Sequence, residues 1–333
     1  MPPPKYGRTA VTTAFAAVAL LLILFAGWLI DRRGANEAET RLAELARAAS
    51  DDPAADIAAA VRANRMVFLS DIHASTATKR LAAQAIERIT ATSGLDVLVL
   101  EVASDLQPVI DRYLQSSPED ASILVTNERA IRAPGAATRA YLDIYRTVWR
   151  LNQKLGADQR IHILAADLEG WPPARPLSPA DLARRSAERE AHMQQRIQSM
   201  FDRQPGARTL IFMTGFHALR HGEGVIQSGG ATPVQVAWLA SRLTQRWPEE
   251  VYSFLVDAPA TGGGGDVTTY LGTKVGGILQ RSGVHRIVSM RITNEFDEVK
   301  QPLLLRKTPG LSFEIHPRDY DLREVADAYI RLR

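Results

Sequence analysis

Cysteine is absent from the 333 residues. That removes a thiol nucleophile, thiolate-held zinc and any disulfide framework, although a cysteine-free chain suits cytoplasm and periplasm alike. A basic block, zinc-finger spacing and an aromatic-basic stripe are equally missing, and the formal charge is only +3. Nucleic acid is therefore not an expected partner. No G-x-S-x-G elbow occurs, and Ser70 precedes a carboxylate rather than sitting between glycines, so a serine nucleophile is not expected. The glycine run Thr261 to Asp266 has no Lys-Ser/Thr after it and no G-x-G-x-x-G spacing. It reads as a rim loop rather than a phosphate cradle. No internal repeat is present. What remains is a globular composition, 46% apolar and 23% charged.

Lys5 and Arg8 precede Val11 to Ile30, a run without charge that ends at Asp31-Arg32-Arg33. At 1.5 Å per residue the run spans roughly 30 Å, the thickness of a bilayer core. It is longer than a usual signal-peptide core, and Phe25-Ala26-Gly27-Trp28 ends in a large ring rather than a cleavage site. The expected organisation is a tail over 1–10, a transmembrane anchor over 11–30, a helical stalk over 31–65 and one α/β domain over 66–333. The stalk, rich in Ala, Glu, Asp and Arg, serves as a spacer or supplies the first helices of the domain. Positive charges flank the span almost equally. A short tail before one span and a large domain fits a single-pass anchor in the inner membrane, with the domain periplasmic or otherwise extracytoplasmic.

From Met66 onward, strand-like runs alternate with helical segments. Met66 to Ser70, Asp96 to Leu100, Ile161 to Ala165 and Thr209 to Met213 are nearly continuous apolar runs. Such strands imply a largely parallel sheet covered on both faces, and hence a three-layer α/β/α sandwich. Leu303 to Leu305 and Leu311 to Ile315 are short enough to be antiparallel edges, which would make the sheet mixed. Tyr141, Ile144, Tyr145, Val148 and Leu151 form a core stripe. Ser104 and Gln107 form a capping-box pair. The segment after Ser178-Pro179 is polar and basic and reads as a solvated surface helix. Pro233 to Trp247 reads as another helix.

Three of these runs end in ionisable residues: Asp71 and His73, Glu101, and His217. Parallel strands bring such ends to one edge, where open α/β sheets bind ligands. Two carboxylates and two imidazoles suit a divalent ion such as Mn, Co, Fe or Zn, which would lower the pKa of a bound water toward ~7. A metal-free alternative uses His73 or His217 as general base, oriented by Asp71 or Glu101. A purely structural reading has Asp71 and Glu101 capping the following helices.

Ser70-Asp71-Ile72-His73, then Val99-Leu100-Glu101 with Gln107-Pro108 and Tyr113-Leu114, then Thr214-Gly215-Phe216-His217 with Arg220 to Val225, form an ordered set. The set resembles the superfamily joining erythromycin esterases, ChaN-type haem-binding lipoproteins and Tiki/TraB metalloprotease-like proteins. The resemblance implies a site at Asp71, His73, Glu101 and His217, as catalytic groups or metal ligands. Ser-Asp stands where the superfamily usually has Gly-Glu, which sets the reacting water or metal closer to the first strand. Arg80 and His221 are candidates for substrate or oxyanion binding. The implied function is a membrane-anchored hydrolase cutting an ester or amide of a small molecule or peptide with an activated water. A ChaN-like haem or metal binder, with Tyr113 or His217 as axial ligand, and an inactive tethered scaffold are the alternatives.

Overall fold

The computed structural model describes residues 37–131, 138–175, 177–228, 232–258, 273–293, 296, 301–308, 311–320 and 322–332. The expected anchor over Val11 to Ile30 and the glycine run Thr261 to Asp266 lie outside these residues. Among the described residues no helix is long and apolar enough to cross a membrane.

Helix α1 spans 37–48 and α2 spans Pro53–Ala63. Strand β1 (Met66–Asp71) leads to α3 (Thr76–Thr92), β2 (Val97–Ala103), α4 (Gln107–Gln115), the short α5 (Ser122–Val125) and α6 (Glu128–Ile131), and α7 (Thr138–Asn152). Then come β3 (His162–Asp167), α8 (Pro179–Arg203), β4 (Thr209–Thr214), a 3-10 turn over Gly215–Ala218, β5 (Glu223–Ser228), β6 (Val234–Ala237) and α9 (Leu239–Arg246). The chain ends with β7 (Val251–Asp257), α10 (Thr273–Arg281), β8 (Val288–Arg291), β9 (Gln301–Thr308), β10 (Leu311–Tyr320), α11 (Leu322–Val325) and β11 (Ala328–Arg331).

The main sheet runs β3-β2-β4-β1-β7-β11-β8, parallel except for β8, which pairs antiparallel with β11. All six residues of β1 are buried. Alternate side chains serve opposite faces: Val67 and Leu69 join a core with α2, α3, α4 and α7, while Met66 and Phe68 join one with α8 and α9. Each large apolar side chain so buried contributes roughly 1.5–3 kcal/mol, which fixes the height of Asp71 at the strand's end. Register pairs Asp71 with Thr214 and Leu100 with Phe212. The carboxyl ends of β1, β2, β3 and β4 therefore share one edge.

Two local expectations change, and the stalk takes the second of its two readings. The strands near 303 and 311 are not edges of the main sheet; with β5 and β6 they form a separate antiparallel sheet, β6-β5-β10-β9. The helix expected over Pro233 to Trp247 begins only at Leu239, because the first part is β6. Alternating Val-Gln-Val-Ala over four residues fits a strand's period rather than a helix's. The stalk is packed into the domain: Leu42 and Ala46 of α1 are buried beside α10 and β8. Arg286 Nη2 donates to the carbonyls of Ala46, Arg47 and Ala49 at 2.8–3.0 Å, filling acceptors that a helix end leaves open.

Candidate active site

Asp71 does not cap the next helix; Ser75 holds that position. Its carboxylate turns inward instead, accepting from Thr78 Oγ1 at 2.5 Å and from Lys79 Nζ at 2.8 Å to each oxygen. Lys79 also donates to the carbonyls of Ile72 and His73, at 2.9 and 2.7 Å. One buried ammonium thus fixes both the carboxylate and the loop that carries His73. The His73 ring lies between Asp71 Oδ2, 3.2 Å from Nδ1, and Thr214 Oγ1, 2.7 Å from Nε2.

Glu101 is the second centre. Its Oε2 accepts from the Thr214 backbone N–H at 2.9 Å and from the Thr214 hydroxyl at 2.6 Å, and lies 3.9 Å from His73 Nε2. Its Oε1 accepts from Arg189 Nη2 at 2.6 Å and lies 3.3 Å from His217 Nε2. Arg189 forks onto Asp167 as well, at 2.8 and 2.6 Å, the bidentate geometry for which guanidinium is suited. His217 Nδ1 sits 2.7 Å from Glu190 Oε1. That contact is an ion pair, and Glu190 Oε2 has no hydrogen-bond partner among the described residues.

Burial would raise the Asp71 and Glu101 pKa values, but neighbouring cations overcome it. Lys79 and then His73 hold Asp71 below its ordinary value. His217, His73 and Arg189 hold Glu101 well below its own. Burial opposes charge on His217, yet Glu190 and Glu101 push its pKa up to about 9. Burial depresses Lys79, partly offset by Asp71. Four side-chain carboxyl groups, Asp71, Glu101, Asp167 and Glu190, face the basic groups Lys79, Arg189 and His217.

These donors do not fit a divalent ion. The protein's own Lys79, Arg189, Thr78 and Thr214 already take up the carboxylate oxygens of Asp71 and Glu101. Among the described residues no group of three His, Asp or Glu side chains is arranged to hold a metal. The proposed axial groups for haem are also committed. Tyr113 is buried and donates to Glu119 at 2.8 Å, and His217 is fully buried between two glutamates.

The structure brings Asp71, His73, Glu101 and His217 together as the strand ends implied. It does not bring Arg80 or His221: Arg80 is exposed on α3, and His221 is exposed on the side of Asp327, a carboxyl that burial holds above its ordinary value. Sequence reasoning missed Lys79, Asp167, Arg189, Glu190 and Thr214. The correction is largest at α8, which is no solvated helix on its inner face. Ser186, Arg189, Glu190, Met193 and Ile197 are buried at helical spacing. Gln107 forms no capping box either: it grips the backbone of β3, at Ile163 O and Ala165 N.

No protein-family model matches the chain. No curated protein matches it. Solved structures do. A Bacillus cereus protein superposes with a TM-score of 0.60 at 10% identity, covering 90% of this chain and 97% of its own. A succinoglycan biosynthesis protein gives 0.58 at 9% identity, over 89% and 97%. A histidine-to-asparagine mutant of the erythromycin esterase EreC in its open conformation gives 0.54 at 10% identity, over 82% and 91%. At these identities the likeness is one of fold.

Proposed function

We propose that this chain, which shares the fold of an erythromycin esterase, hydrolyses a carboxylic ester or amide with His73 as general base. One observation carries the reading. Within a cluster whose carboxylates are 0–3% exposed and whose His217 is fully buried, the His73 side chain is 17% exposed. The accessible ionisable member is thus an imidazole with a buried carboxylate behind its Nδ1, the arrangement that orients a base. The Asp71 and Glu101 carboxylates beside the ring favour the imidazolium formed when His73 takes a proton, and water is the final acyl acceptor.

Two buried donors beside the cluster are left for a substrate oxygen. Tyr141 Oη and Trp171 Nε1 have no partner among the described residues. The Trp171 ring lies under the Arg189 guanidinium at 4.3 Å. Burial first, then Tyr145, Asp71, Glu101 and Asp167, keep Tyr141 protonated and therefore a donor. The run Val11 to Ile30 is proposed to tether this domain to the membrane, facing the periplasm.

The test is hydrolysis of a panel of p-nitrophenyl esters by the full chain and by His73→Gln. A positioned general base supplies roughly 10²–10⁴-fold, so the variant is expected to lose that much with an unchanged circular dichroism spectrum. Undiminished turnover in His73→Gln would overturn the assignment.

A further inference from the structure

His73 Nε2 faces a hydroxyl. Thr214 Oγ1 lies 2.7 Å from it, while Nδ1 of the same ring lies 3.2 Å from Asp71 Oδ2. Neutral imidazole has a single in-plane lone pair. With Nδ1–H given to Asp71, that lone pair points at Thr214, and water reaches it only by displacing the threonine. Hydroxyl, imidazole and carboxylate stand in the order that activates a nucleophile for acyl transfer.

We propose that Thr214 Oγ1 is the nucleophile of this site, forming an acyl-threonine that water then hydrolyses. The inference rests on the reading of His73 as base and names the group on which that base acts.

Placement supports it. Thr214 closes β4, a strand held on both sides by β1 and β2, so its hydroxyl is carried on a rigid element at the sheet's ligand-binding edge. The chain then turns at Gly215 into the 3-10 segment. Thr214 and His73 are the partly exposed pair of the cluster, and Asp71 and Glu101 lie buried behind them. Glu101 Oε2, 2.6 Å from Oγ1, competes for the single hydroxyl proton in the resting site. That carboxylate also accepts the Thr214 backbone N–H and the Arg189 guanidinium. It therefore stays satisfied when the hydroxyl proton moves to His73.

The chemistry closes without a further reactant. Oγ1 bonds to the acyl carbon as its proton passes to Nε2, and the carbonyl oxygen takes the electron pair. Collapse of that oxyanion breaks the bond to the alcohol or amine, which leaves with the proton from His73. Water then gives a proton to His73 and attacks the acyl carbon. Oγ1 departs and recovers its proton.

The test uses the full chain with a small alkyl fluorophosphonate, read by intact-mass and peptide mapping, together with p-nitrophenyl acetate hydrolysis. The expected result is one phosphonyl group per chain on Thr214, retained in Thr214→Ser and lost in Thr214→Val and His73→Gln. Hydrolysis is expected to fall about 10³-fold or more in Thr214→Val and less than about tenfold in Thr214→Ser. His73-dependent hydrolysis with no adduct, or with wild-type turnover in Thr214→Val, overturns the nucleophile and leaves His73 as base. An adduct on another residue also overturns it. Neither adduct nor hydrolysis in the wild-type chain overturns both readings.

Discussion

Lys79 Nζ lies 2.8 Å from both carboxylate oxygens of Asp71, with the two side chains 0% and 2% exposed. Removing one partner of such a pair strands a buried charge, which costs about 3–5 kcal/mol. Lys79→Met is therefore expected to lower unfolding stability by that order. Asp71→Asn with Lys79→Met leaves no unpaired charge and is expected to be less damaging than the sum of the single changes. Denaturant titration of the four proteins measures the coupling; additive losses would show that the pair does not act as a unit.

The His217 pKa predicts a fall in stability on the alkaline side. Its folded value, about 9, stands above an ordinary value of 6.5. The stabilising charge is fully present below pH 6.5 and is lost as pH rises toward 9. A shift of this size corresponds to something on the order of 3 kcal/mol. Asp71 and Glu101 act oppositely: their folded values are depressed, so their contribution holds above ordinary carboxylate values and disappears in acid. Stability should plateau between about pH 4.5 and 6.5. Denaturation midpoints from about pH 3 to about pH 9.5 check this, and His217→Gln should flatten the alkaline slope.

The strand ends were legible because each apolar run stops abruptly at an ionisable residue, and parallel pairing does the rest. Lys79 was legible in principle. It shares a helical face with Ala82, Ile86 and Ile89, all buried, whereas Arg80, one residue on, faces solvent. Arg189 and Glu190 keep phase with Met193 and Ile197 in the same way. Reading charge as surface hid both. What no periodicity reveals is partnership: Glu101 and Arg189 meet across 88 positions, and only the fold decides which carboxylate each buried cation serves. The second sheet escaped notice because Glu223–Ser228 is a polar, glycine-bearing segment with no apolar run.

Arg189 joins Asp167 to Glu101 by three short hydrogen bonds. Lysine keeps the charge but cannot reproduce the planar fork. Losing two charge-assisted bonds at about 1.5–3 kcal/mol each gives an expected cost for Arg189→Lys of roughly 3–6 kcal/mol in denaturant titration. A loss below about 1 kcal/mol would show that an ammonium satisfies both carboxylates.

Gln107 does for β3 what a neighbouring strand would do. β3 is the outermost strand of the main sheet, and an outer edge leaves backbone groups unpaired. The Gln107 amide fills two of them, accepting from Ala165 N at 2.9 Å and donating to Ile163 O at 2.7 Å. Gln107→Ala is expected to cost about 1–3 kcal/mol and to speed exchange of the Ala165 amide roughly 10–100-fold, measurable by hydrogen exchange with mass or NMR detection. The same strand ends at Asp167, which holds Arg189 against Glu101. A loosened β3 should therefore slacken the Glu101 centre without touching it. In Gln107→Ala, exchange of the Thr214 amide that donates to Glu101 should rise as well. An unchanged Thr214 rate beside a faster Ala165 would show that the edge and the site are mechanically separate.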